Sequence, residues 1–357
     1  MEIWVEKKFN ISFKRVCQYS TLMAPFSIIV GLLASMPAMA ATTILLSPLE
    51  PPQAEINTDV FAPWAKQVAK VTDNQVIIKF LPMNVAPPNQ LDEAVRSDII
   101  DAAYFYNGLL PNRFPLVQIG SLPFLSVSSE QNSIALWNTY EKYFAGHGEY
   151  KQLKLLALYC APPEQIFSEN KEFSSLSDLR DKKILSLPGP VQMLLSDSGI
   201  AVQASPAVQM SEFITSGTID GVAGMDPLAL EDFKLAPYMK SVTYFPGGLS
   251  TACFSFVINK AKWDAIPAKY QAAIEQTTGL SFAKRQSVID DLAKKDLELE
   301  ESSGIKVVHP ASDLMADFEK SAQMQYKKWI KIADKNGVDG KAAMAYYESQ
   351  LKLNKNN

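Results

Sequence analysis

The residue types that could do chemistry are few and scattered. His147 and His309 stand alone, and no His-Glu-x-x-His or Cys-x-x-Cys spacing supplies a metal set. There is no phosphate-cradling Gly-rich loop and no Gly-x-Ser-x-Gly elbow. His147, in Gly146-His147-Gly148, reads as a solvated loop residue. No catalytic residue, metal or cofactor is therefore assigned. The chemistry left is recognition. Tyr104-Phe105-Tyr106-Asn107 closes an apolar run and turns into a loop at Gly108, and aromatic walls with a few polar groups suit a small-molecule pocket. Met225-Asp226 ends a second apolar run, and Leu187 ends a third at the turn Pro188-Gly189-Pro190.

These residues need elements to hold them, and the stretch 177–226 shows which. Ile184–Leu187 is strand-like, 191–198 is apolar at helical spacing with Gly199 as its stop, and Ile200–Val202 is the next strand. Ser205-Pro206 reads as the cap and first turn of a helix running to Gly217, followed by the strand 218–222. Strand and helix alternating at this pitch predict a parallel sheet with helices packed on it, whose ligands bind at the carboxyl ends of the strands. Pro188, Gly189, Met225 and Asp226 sit at such ends, and Tyr104, Phe105 and Tyr106 close another strand there, although the same residue types also serve as plain turn formers and core.

Composition fits this picture. A chain of 357 residues, 47% hydrophobic and 20% charged, can bury the cores of two lobes. The net charge of −4, with no long block of one sign, gives no nucleic-acid footprint and no polybasic membrane surface. Lys7, Lys8, Lys14 and Arg15 precede the apolar stretch 21–36 and the Ala38-Met39-Ala40 site, so residues 1–40 read as a signal peptide cleaved after Ala40. The alternative is an uncleaved membrane tether, which Pro25 and Gly31 argue against. The long basic leader also allows a start codon further in. Cleavage leaves Cys160 and Cys253, both in apolar runs, and the expectation is two buried free thiols, a disulfide being chemically open to an exported chain.

Along the rest of the chain, strands are predicted at 43–47, 76–81, 102–106, 153–160 (continuing toward Glu164), 251–259 and 305–308. Helices are predicted at 57–72, with Val60, Trp64 and Val68 as a core face, and at 90–97, 130–144, 268–301 with an interruption at Gly279, and 314–337.

Trp64, the segment from Asp92 to Asp101, Phe114-Pro115, Leu122-Pro123-Phe124, Ser177-Asp178-Leu179 through Lys183-Ile184, Gly217-Thr218-Ile219-Asp220-Gly221 and Asn259-Lys260 recur together in one family. In their order and spacing the mature chain resembles the DctP-like substrate-binding receptors of tripartite ATP-independent periplasmic (TRAP) transporters. The resemblance implies an α/β fold of two lobes, the type II-like periplasmic binding protein architecture, with hinge-crossing strands and a long lobe-spanning helix. Lobe I would comprise 41–161 with 250–289, and lobe II 162–249 with 290–357 and the C-terminal helices. It further implies a monomeric periplasmic receptor that closes on a small organic solute and delivers it to integral membrane transporter subunits. The alternatives are a ligand sensor for a signalling partner and an exported enzyme of similar fold, since acids paired across two lobes leave no linear motif.

Against the family pattern, the arginine that grips a ligand carboxylate just after the Lys-Ile pair is replaced by Leu185, and a second arginine of some members falls by spacing on Glu164. Leucine cannot make the bidentate guanidinium contact. The expected ligand is therefore neutral or amine-bearing rather than a dicarboxylate. Glu164 and Asp226 would receive a cationic end, and Tyr104, Phe105, Tyr106 and Asn107 would form the wall, beside Leu185, Leu187 and Met225. The competing expectation is that another cation, such as Arg113, takes over the lost contact.

Overall fold

The computed structural model describes residues 41–302 and 304–353. The proposed signal peptide, Cys17 included, lies outside the described residues. Among the described residues eleven strands follow one another as β1 (Thr42–Ser47), β2 (Val76–Phe80), β3 (Ala102–Tyr106), β4 (Leu153–Cys160), β5 (Gln165–Ser168), β6 (Lys183–Ser186), β7 (Ala201–Ala204), β8 (Gly221–Met225), β9 (Ser241–Thr243), β10 (Cys253–Asn259) and β11 (Lys306–Val308). They form two sheets, ordered β2-β1-β3-β10-β4 and β11-β9-β5-β8-β6-β7, with helices packed against them.

Neither sheet is wholly parallel. β1 runs parallel to β2 and β3, and β6 parallel to β7 and β8, as strand–helix alternation requires. But β10 is antiparallel to β3 and β4, and β5 is antiparallel to β8 and β9. The chain leaves the first sheet through β4, enters the second through β5, and returns from β9 into β10. An out-and-back path imposes opposite directions on the strands at its two ends. The two crossing segments lie side by side: Ala161 N–H donates to Ala252 O at 2.7 Å, Glu164 N–H to Ser250 O at 2.9 Å, and Leu249 N–H to Glu164 O at 2.8 Å.

The same register corrects the thiol expectation. Cys160 closes β4 and Cys253 opens β10 as direct cross-strand partners, and the two form a disulfide. Period-two alternation divides the cores. Ala102, Tyr104 and Tyr106 face one cluster of the first sheet with Phe61, Trp64 and Phe256, while Ala103 and Phe105 face the other.

Two helical expectations change. The stretch read as one helix over 268–301 is three: Ala268–Glu275, Leu280–Lys284 and Ser287–Ser302. Gly279 breaks it at φ +55°, its N–H donating to Leu156 O at 2.7 Å, and a Cβ there would meet the Trp137 ring at 2.6 Å. In the second lobe the helix after β7 runs Ala207–Thr215 with Pro206, not Ser205, at the cap position.

The Ser312–Lys335 helix joins both halves of the molecule. Leu314, Phe318 and Ala322 pack into a cluster with Ile184 and Ala223 of the second sheet, and Trp329 and Ala333 into one with Phe105 and Val257 of the first. Trp329 Nε1–H donates to Leu116 O at 3.1 Å, and Tyr326 donates its hydroxyl to Pro123 O. A further helix, Gly340–Leu353, packs on the Ser129–Thr139 and Ser312–Lys335 helices and buries Met344, Tyr347 and Leu351 in the cluster that holds Phe105. Among the described residues no helix is long and apolar enough to cross a membrane.

Candidate functional site

The carboxyl ends of strands from both sheets converge on one cavity of ≈ 930 Å³, open solvent at its mouth included. From the first sheet come Leu49 and Glu50 after β1, Tyr106 at the end of β3, Tyr159 near the end of β4, and Phe254 of β10. From the second come Leu187 after β6, Pro206 to Val208 after β7, Met225 closing β8, and Asp226 and Asp232 after it. A doubly wound sheet leaves its crevice at that end, because the loops there are the ones the helices do not cover.

The walls are apolar and aromatic. Tyr159 and Phe254 stack at 5.0 Å and 11°, and Tyr106 lies 5.7 Å from Phe254. Tyr106 also spans the two sheets, its hydroxyl donating to Pro188 O at 3.1 Å.

Of the residues expected from sequence, Tyr106, Leu187, Met225 and Asp226 line the cavity. Four others have different employment. Tyr104 stacks on Phe61 at 4.6 Å and donates its hydroxyl to Asn57 Oδ1 at 2.9 Å. Phe105 points to the opposite face of β3, against Phe114 at 5.0 Å. Asn107 is fully buried and its Oδ1 accepts the Ser255 hydroxyl at 2.6 Å. Leu185 is buried among Phe167, Met210 and Val222 in the core of the second sheet. An arginine at 185 would thus be aimed into that core, and the strand end that reaches the cavity is Leu187. Glu164, 3% exposed, sits in the crossing segment and is not in the lining. Arg113 is held by Asp92 at 2.5 Å and is not in the lining.

Sequence reading missed the remaining polar residues. Glu50, Glu55 and Asp232 join Asp226 in the lining, and among the described residues no lysine, arginine or histidine accompanies them there. Glu50 follows β1 as Asp226 follows β8, so the strand-end rule applies to both. Asp232 ends the Pro227–Asp232 helix and carries no local signal.

Crowding acids in an apolar site raises their proton affinity. Burial pushes Glu50 to about 7, with the charge of Asp226 adding to it. Asp226 also rises to about 7 by burial, although its carboxylate caps the following helix by accepting Ala229 N–H at 3.2 Å. Burial and then the neighbouring Glu55 carboxyl push Asp232 to about 9. Glu164 is driven well above the carboxylate range by burial and the charge of Asp226. Glu50 Oε2, Glu55 Oε2 and the Tyr159 hydroxyl are sealed from solvent with no hydrogen-bond partner among the described residues. With four acids in its lining, the cavity is negative or, protonated, neutral.

Comparison with known proteins places this architecture. The family model for bacterial extracellular solute-binding protein, family 7 (DctP), matches residues 49–332. The "Outer membrane transporter protein TsaT" of Comamonas testosteroni is 31% identical over 329 residues, which cover 91% of this chain and 97% of that protein. A TRAP periplasmic solute-binding protein from Bordetella bronchiseptica, solved with bound (R)- and (S)-mandelate, superposes with a TM-score of 0.83 at 27% identity, over 87% of this chain and 99% of that one. A marine-metagenome TRAP solute-binding protein specific for aromatic acid ligands, solved with 3-hydroxybenzoate, shares the fold with a TM-score of 0.80 at 24% identity, over 88% and 99%. Receptors of this kind bind small solutes, work with membrane transporter subunits and are periplasmic. Two sheets bridged by paired crossing segments and a long helix, with a cavity where their strand ends meet, are that fold, and the chain belongs to the DctP family of TRAP solute-binding receptors.

Proposed function

We propose that this receptor captures an apolar-bodied solute that is neutral or amine-bearing, not a dicarboxylate, and that it works as a monomer without catalysis after cleavage of residues 1–40. The observation that carries the reading is the lining itself: aromatic and aliphatic walls, four carboxylates, and no cation. Leu185, buried in the core of the second sheet, has no part in it. A dicarboxylate would bring two more anions to this site, and like charges juxtaposed without water cost several kcal/mol.

In this reading 41–161 with 250–289 form one lobe and 162–249 with 290–357 the other, hinged at the crossing segments. A solute touching both lobes favours the closed state by its differential affinity. The closed receptor is then what the membrane subunits accept.

One observation favours a second reading, an aromatic acid: the Bordetella bronchiseptica protein carries mandelate. Here such an acid would have to rest against the first turn of the Ala207–Thr215 helix, whose start lines the cavity, or share a proton with Glu50 or Asp226. Calorimetry and small-angle scattering with a panel of amines, neutral aromatics and acids test the proposal. It expects one-to-one binding with a fall in radius of gyration and no turnover. Tight succinate binding, or turnover of any bound compound, would overturn it.

A further inference from the structure

One loop from the first sheet's half of the molecule reaches into the second. Residues 121–126 follow β3 and precede β4, both of the first sheet, and Leu122 and Leu125 pack with the cluster that holds Phe105. Phe124, between them, packs instead against the second sheet's cluster of Ile184, Phe245, Leu249 and Phe318. Its backbone makes the turn, at φ +58°, a left-handed conformation in which a bulky residue is an outlier. Strain of that kind persists only where surrounding contacts over-determine it. Phe124 N–H donates to Leu249 O at 3.0 Å and Ser250 Oγ–H to Ser121 O at 2.6 Å, fastening the loop to one crossing segment. Tyr326 of the long helix, which packs on both clusters, donates its hydroxyl to Pro123 O. From the second lobe's side Gly247 presses so close that a Cβ there would meet Ser126 O at 2.8 Å. None of residues 121–126 lines the cavity.

We propose that Phe124 is a clasp between the lobes: its ring, carried by the first and seated in the second, sets their angle and so the width of a cleft it does not touch. The crossing segments and the long helix are covalent links, which can bend. A ring packed in a socket either stays or leaves, because packed contacts do not deform continuously. With the ring gone only the bending links remain, and the ligand-free cleft takes up many widths. Phe124 is thus a positioning residue for solute capture. The inference rests on the receptor reading above and concerns how that site is held ready.

Asn89 and Gln209 are exposed, and each follows a residue of the cavity lining, Pro88 from the first lobe and Val208 from the second. Nitroxide labels on the mature Asn89→Cys/Gln209→Cys protein therefore report the cleft's width by pulsed electron paramagnetic resonance, the native cysteines being tied in their disulfide. Without ligand, the labelled protein should give one narrow separation. Phe124→Ala should lose it for a broad spread, and so should Phe124→Gly, although glycine suits the φ of +58°. Phe124→Leu, which keeps an apolar side chain in the socket, should retain it. Tyr326→Phe, which only frees Pro123 O, should broaden it less than Phe124→Ala does. Val68→Ala, in the first sheet's other cluster, should melt earlier with the separation unchanged, which tells a clasp from a general loss of stability. A broad spread before any of these substitutions, a narrow separation kept by Phe124→Ala, or equal broadening by Val68→Ala would each overturn the proposal. If Phe124→Ala does not fold, Tyr326→Phe decides, and an unchanged separation there overturns it. The receptor reading falls separately, if no compound of the panel above changes the separation when Phe124 is in place.

Discussion

Replacing Glu50 with glutamine should stabilise the ligand-free protein, and by more at high pH than at low. Burial holds the Glu50 carboxyl at about 7, against 4.5 for a solvated glutamate. A raised carboxyl pKa means that the folded state keeps a proton the unfolded chain has released. The wild-type protein is thus undisturbed by this group below about pH 4.5, loses stability as pH rises from there to about 7, and stays at the lower level above. The full cost is about 3 kcal/mol at pH 8, and roughly 1 kcal/mol has already accrued at pH 5. Glutamine has the same shape and no such titration. Its advantage over wild type should grow by roughly 2–3 kcal/mol between pH 5 and pH 8, or about 4 °C in Tm for a chain of this length. The comparison across pH removes whatever the amide itself costs in the pocket. Scanning calorimetry of both proteins at the two pH values is sufficient. An offset that does not change with pH, or a variant less stable only at pH 8, would show that the Glu50 carboxylate is well satisfied in the ligand-free protein and refute the reasoning.

The affinity for an amine should rise with pH from 5 to 8, because Glu50 and Asp226 must lose their protons to receive it; an acid ligand would show the opposite slope in the same titrations. The Cys160→Ser/Cys253→Ser double variant should lose about 2–4 kcal/mol of stability, and thiol titration of the unfolded, unreduced mature wild-type chain should find no free thiol. Tyr106→Phe removes the hydroxyl that reaches Pro188 O from the other sheet, and should weaken ligand roughly fivefold, the worth of about 1 kcal/mol for one hydrogen bond. Trp329→Ala should cost about 3–5 kcal/mol in denaturant unfolding, since the ring is 3% exposed and its Nε1–H satisfies Leu116 O in the first lobe.

The elements were legible where pattern and packing agree. β3 and β4 fall where alternation and apolar length put them, and Trp64 is the core residue its helical face requires. What sequence could not supply was direction. β5 and β9 are four and three residues long, and their antiparallel pairing follows from the path between sheets rather than from local propensity. The disulfide has the same cause, since Cys160 and Cys253 meet only through the register of β4 with β10. The Gly340–Leu353 helix was hidden by Gly337, read as the end of the chain's last strong helix, although Met344, Tyr347 and Leu351 have helical spacing.

The site divides in the same way. Strand-end position points to Pro188, Gly189, Met225 and Asp226 and to the group Tyr104 to Tyr106; of these Met225, Asp226 and Tyr106 are in the cavity lining. It could not tell which of Tyr104 and Tyr106, on the same face, reaches the cavity, because that depends on how far each lies from the strand end. Leu185 was chosen by analogy with an arginine, and its side chain belongs to the core; the absence of a cation is a property of the whole lining.

Native mass spectrometry of the mature protein, purified gently from its own host, tests the central claim most directly by weighing the solute it retains. The account predicts one small apolar-bodied solute per chain, neutral or amine-bearing, an amine being lost on acidification as Glu50 and Asp226 take up protons. A retained carboxylic acid, held as firmly at pH 8 as at pH 6, would contradict it.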